Sequence, residues 1–111
     1  MATRHAQGTW GILVESVIGR FAWSIAGRDK GRLFVITAVA DDNHVMVADG
    51  DIRRVDKPKK KKLKHLAMTE ETAEVIAETF RNRKKPLDAD LREAVRQVRE
   101  AGGHASHDRE V

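Results

Sequence analysis

The 111-residue chain contains no cysteine, so a disulfide framework, a cysteine-based zinc site and a cysteine nucleophile are all excluded. Proline occurs only at positions 58 and 86, and aromatic side chains make up 5% of the residues. With so few aromatics, a groove lined by exposed rings is not expected. No apolar run approaches the ~20 residues that a membrane-spanning helix needs. The first eight residues, Met1 to Gly8, lack the apolar stretch of a secretory signal, so export is not expected. No serine stands in a nucleophile elbow, no Walker-type phosphate loop occurs, and the carboxylates fall in turn and helix-cap contexts. An enzyme is therefore not expected, nor is a cofactor. A reducing, cytoplasmic setting agrees with the lack of cysteine.

What is abundant is basic charge, and it is unevenly spread. Lys and Arg number 21 against 17 Asp and Glu, a net charge of +4. Residues 1–66 carry 13 basic and 7 acidic side chains, whereas residues 67–111 carry 8 and 10. The excess sits in the half with strand character, which suits a polyanionic partner.

Two glycines bracket the stretch Gly27-Arg28-Asp29-Lys30-Gly31-Arg32, and the β-forming run Leu33 to Val39 follows. The spacing predicts a tight turn that lifts Arg28, Lys30 and Arg32 off a buried strand. Before it, Phe21, Trp23 and Ile25 alternate with Arg20, Ala22 and Ser24, the period of a half-buried strand. Trp23 is read as a core residue, with base stacking as its other use. Ala40-Asp41-Asp42-Asn43 marks a solvated hairpin, and His44 to Ala48 reads as the next strand. Asp49-Gly50 is a second hairpin signal, leading to a short last strand Ile52 to Val55 that carries Arg53 and Arg54.

The lysines at 57, 59, 60, 61, 62 and 64 then crowd eight positions. Their mutual repulsion points to an extended strap along a phosphate backbone or to a solvated linker; such a run also resembles a nuclear import signal. Leu63 and Leu66 are expected to anchor it to the domain.

Two helices are predicted beyond the strap. Thr69 to Arg83 has Thr69 as N-cap, Val75, Ile76, Thr79 and Phe80 as an apolar stripe, and Pro86 as its stop. Asp88 to Ala101 has Asp88 as N-cap, Leu91, Ala94, Val95 and Val98 at helical spacing, and Gly102-Gly103 as terminator. Their stripes are expected to meet each other or the β domain, since helices of about 14 residues are marginal alone. Trp10 to Val17 reads as a short helix or an extension of the first strand, and 104–111 as a disordered tail. His104 and His107 lack the further ligands of a closed metal site.

The glycine turn resembles a KOW motif, the short β-loop-β unit of several ribosomal proteins and transcription elongation factors. Residues 27–32 match its generic pattern G-K-D-K-G-K-x-G-K-V, and Phe34 replaces its third glycine. Together with Val45 to Gly50 and Lys62 to Leu66, the stretch is similar to the fourteen-e family of large-subunit ribosomal proteins and their compact bacterial relatives. The similarity covers about residues 17–66. It implies a mainly β fold, a small SH3-like barrel, here followed by a C-terminal α-helical hairpin. The organisation expected is an N-terminal extension (1–16), the barrel (17–56), a basic strap (57–66), a two-helix segment (67–103) and the tail. The function it implies is RNA binding in translation, with ribosomal RNA of the large subunit as partner. Arg28, Lys30, Arg32, Arg53, Arg54, Lys57, Lys59, Lys60, Lys61, Lys62 and Lys64 would contact phosphates, and the helices would either pack on the barrel or face a protein neighbour. The alternative is a protein-interaction module or an elongation-type transcription factor using the same barrel.

Overall fold

A computed structural model describes residues 17–101. The expectations for Trp10 to Ser16, for Gly102-Gly103 and for the tail with His104 and His107 lie outside the described residues. Five antiparallel strands are followed by two helices: β1 (Arg20–Ser24), β2 (Leu33–Asp41), β3 (His44–Ala48), β4 (Lys59–Lys62), β5 (Leu66–Thr72), α1 (Glu74–Arg81) and α2 (Asp88–Ala101). The domain is mainly β with a helical pair after it, as its sequence indicates. Among the described residues no helix is long and apolar enough to cross a membrane.

The strand order is β4-β3-β2-β1-β5, so consecutive strands β4 and β5 occupy opposite edges of the sheet. Only a three-residue 3-10 turn, Leu63–His65, joins them. The sheet must therefore curl until its edges meet at that corner, which makes the domain barrel-like. Two backbone bonds close the corner: the Leu63 N–H donates to the Asn43 carbonyl (2.8 Å), and the Ile25 N–H to that of His65 (2.9 Å). Register shifts near Thr37 in β2 and Phe21 in β1 supply the bend. At the second of these the Phe21 carbonyl is satisfied by the Thr69 hydroxyl, at 2.9 Å.

Both faces of the sheet are covered. Along β2, Phe34 and Ile36 point into the curl, where they pack with Ala22, Val45, Val47 and Leu66. Leu33 and Val35 point outward, onto Phe21, Ile76, Leu91, Val95 and Val98. This double burial explains why β2 is a continuous apolar run rather than an alternating one. It also corrects the expected alternation in β1: Ala22 and Ser24 are buried, and Ile25 is 48% exposed. Trp23 is half-buried against the helix-side cluster. Each large side chain so enclosed stabilises the fold by about 1.5–3 kcal/mol relative to an exposed one.

Several local expectations are revised. Residues 52–55 form no strand, because Asp49 Oδ1 accepts the backbone N–H groups of Asp51 and Arg53 (2.9 and 3.0 Å) and curls the chain instead. Asp49-Gly50 thus opens a long loop rather than a two-residue hairpin. The lysine run is not a strap outside the sheet: Lys59–Lys62 is β4, paired with β3 in the register Val45↔Lys61 and Val47↔Lys59. Leu66 anchors its end in the core, while Leu63 is 37% exposed. Thr69 lies in β5, so α1 starts five residues later than expected, and its buried stripe is Ile76, Ala77 and the half-buried Phe80 rather than Val75. In α2 the inward residues are those expected, but Leu87 caps the helix. Its carbonyl accepts from Leu91, and its N–H donates to Asp90 Oδ2 (3.0 Å).

Helix α1 ends in a six-residue closure in which the Lys84 N–H reaches the Thr79 carbonyl and that of Arg83 reaches Phe80. Arg83 occupies the left-handed position, with φ 61°, that glycine favours. Arg83→Gly should stabilise the protein by about 0.5–1 kcal/mol, read as a raised urea midpoint. Gly50 is the contrary case. At φ +78°, a methyl group there would lie 2.2 Å from the Asp88 carbonyl oxygen. Gly50→Ala should cost at least about 2 kcal/mol and lower the melting temperature by several degrees. Gly31→Ala, equally left-handed but with open space around it, should cost only about 1 kcal/mol.

Candidate nucleic-acid interface

The glycine turn is built from the backbone inward. The Gly31 N–H donates to the Ser24 carbonyl (2.7 Å), Lys30 to Gly27 (3.2 Å) and Arg32 to Asp29 (3.0 Å). The one acid of the motif, Asp29, is 4% exposed and turned into the domain. Its Oδ2 takes Arg53 through Nη2 (3.2 Å) and Nε (3.3 Å), with Lys59 Nζ 3.6 Å away. One carboxylate thereby joins the turn to the 49–58 loop and to β4.

Asp49, also buried, performs a similar task. Its Oδ2 lies 3.3 Å from Arg32 Nη2, which Asp51 shares at the same distance. Arg54 pairs with Asp88 at the start of α2 (3.3 Å), and Lys60 approaches Asp41 at 3.8 Å. In β4, Lys59 and Lys61 share the face of Val47 and Val45, and Lys60 and Lys62 share that of Met46 and His44. Lys61 is 6% exposed and donates to the Ala26 carbonyl at 3.0 Å. Burial holds its pKa below the usual lysine value, with the Asp29 charge acting in the opposite direction. Asp41 titrates below the ordinary carboxylate range, chiefly because His44 Nδ1 bonds to it at 2.8 Å and further because the Asn43 N–H does so.

The eleven basic residues singled out from the sequence therefore divide into two groups. Arg32, Arg53, Arg54, Lys59, Lys60 and Lys61 are held by carboxylates or a carbonyl of the chain itself. Arg28, Lys30, Lys57, Lys62 and Lys64 are exposed, and their side chains have no ion pair or hydrogen bond among the described residues. The turn and β4 come together across a hollow of about 420 Å³ lined by Ala26, Gly27, His44, Lys59 to Lys62 and His65. The charge pattern alone does not single out the two histidines. A signal for them existed, since His44 opens β3 and His65 directly follows the lysine run. No aromatic ring is exposed among the described residues. The hollow can accept an anion by charge and by N–H donation, and its only rings are the partly buried imidazoles of His44 and His65.

Compared with models of protein families, the chain matches none, and compared with curated proteins it has no match.

Removing the buried carboxylate should be costly. Asp29→Asn leaves Arg53 and Lys59 without their counter-charge and should lower stability by about 1–3 kcal/mol. The value is below that of a fully buried pair because both cations are a third exposed. A urea titration measures it. Lys61 makes a pH prediction. Its folded pKa is below its unfolded one, so the unfolded chain binds the proton more tightly and stability rises with pH between the two values. Wild-type stability should climb as the pH rises toward about 10, the unfolded lysine range, and level off there. Lys61→Met should abolish that climb in denaturation curves taken across the interval.

Proposed function

We propose that the protein binds structured RNA, with ribosomal RNA as the partner that the KOW resemblance implies, and that it acts as a cytoplasmic, ribosome-associated binder rather than a catalyst. The observation that carries this reading is the hollow between the glycine turn and β4. Four lysines and two histidines line it, and exposed, unpartnered cations stand on the same two elements and their flanks. A polyanion would supply the counter-charges that these cations lack among the described residues.

The division of the basic residues assigns them different roles. Arg28, Lys30, Lys57, Lys62 and Lys64 are the groups that would take phosphate oxygens. Arg28 can do so with two parallel N–H donors, and the lysines act as point charges. Arg32, Arg53, Arg54, Lys59 and Lys61 shape the surface that carries them, and Lys60 lies between the two roles at its 3.8 Å distance from Asp41. With only the partly buried imidazoles of His44 and His65 as rings, the interface would read backbone shape more than splayed bases, which favours folded RNA over an unstructured strand.

Five neutralised phosphates imply that log K falls against log salt with a slope of roughly −3.5 to −4.5. Alanine at all five free positions should bring the slope close to zero in filter binding to large-subunit ribosomal RNA fragments. Each single change should reduce it by about one. Arg54→Ala, which removes a cation already paired with Asp88, should alter affinity by no more than about twofold. A five-site variant that keeps the wild-type slope would refute the reading.

A further inference from the structure

Helices α1 and α2 leave a second concave surface that phosphate binding does not use. A hollow of about 550 Å³ lies between them and the sheet, with Phe21, Ile76, Ala94 and Val98 among its apolar lining residues. Four acids, Glu71, Glu74, Asp90 and Glu93, line the same hollow. Glu71 and Glu74 are exposed, and their side chains have no partner among the described residues. Val75, 77% exposed, stands between this hollow and a neighbouring one of about 410 Å³ lined by Glu74, by Glu78, which is paired with Arg81, and by Lys84. Glu93 is paired with Arg96 and Asp90 accepts the Leu87 N–H, so the uncompensated charge beside the apolar floor is that of Glu71 and Glu74, which disfavours nucleic acid. The hollow complements a segment that offers aliphatic side chains on one face and lysine or arginine beside them.

We propose that this surface docks a basic amphipathic helix of a protein partner. Aliphatic residues of that helix would enter the hollow beside Val75, and its flanking cations would meet Glu71 and Glu74. The site is separate from the cationic hollow and does not depend on the RNA-binding reading. With both sites occupied, the chain would connect an RNA to a basic protein.

The test uses the full-length, 15N-labelled protein and a 14-residue amphipathic peptide of leucine and lysine, with its leucine–glutamate counterpart as control. The lysine peptide should shift amide resonances in 71–76 and 90–101. Glu71→Lys combined with Glu74→Lys, and separately the exposed change Val75→Asp, should each weaken it at least tenfold. Arg28→Ala with Lys30→Ala should leave its binding unchanged. Equal binding of the glutamate peptide, unaltered binding to the charge-reversed protein, or shifts centred on β4 would each overturn the proposal. The absence of native cysteine permits one further check, a nitroxide at Trp10→Cys. If it broadens the amides of the hollow, the occupant is the chain's own N-terminal stretch, and the proposal fails.

Discussion

The burial of Asp29 amid cations is the interaction on which the arrangement depends. A strand of four consecutive lysines has no intrinsic reason to join a sheet, since like charges on neighbouring residues repel and lysine is a poor strand former. It joins because alternate side chains meet different surroundings. Lys59 reaches the Asp29 carboxylate, and Lys61 reaches the Ala26 carbonyl. The same carboxylate holds Arg53, so three separate stretches of the chain converge on one negative charge. Desolvating that charge is costly, and the geometry around it offsets the cost only while all the partners are in place. The basic face is thus organised by acids that lie beneath it.

The second constraint is that the first half of β2 has no free face. With Phe34 and Ile36 inside the curl and Leu33 and Val35 beneath the helices, β2 is shared between two cores. A barrel of about 50 residues buries too little surface to be more than marginal. The helices enlarge its core through Ile76, Leu91, Val95 and Val98. Their presence is therefore part of how the small β unit is stabilised, not only an addition to it.

Much of this was legible in the residues. The glycine turn, the long apolar strand after it, the Asp-Asn hairpin and the second helix all carry strong local signals, and each appears where those signals place it. The expectations that changed share a cause: a side-chain partner, near or far along the chain, overrode a local backbone preference. Thr69 looks like a helix cap, but its hydroxyl is needed at the irregularity beside Phe21. Ile52 to Val55 looks like a strand, but the Asp49 side chain captures the Arg53 N–H and Asp88 that of Val55. The lysine run looks like a linker because nothing local shows that Asp29, some thirty residues earlier, lies buried beside it. For the same reason the candidate interface was only half readable. Sequence identified every cation, but it could not show which of them the chain would already have paired. The acid at the centre of the basic turn was the available clue.

The loop after Asp49 has a consequence of its own. Its adjacent arginines point to different anchors, Arg53 to Asp29 at the glycine turn and Arg54 to Asp88 at the head of α2. The Val55 N–H also bonds to Asp88 (2.7 Å), and Arg92 of α2 reaches back to the Gly50 carbonyl (2.7 Å). Residues 50–55 therefore form a mechanical link between the helix and the basic turn. Opening of α2 would release the loop with it, so the two should exchange their amide hydrogens as one cooperative unit.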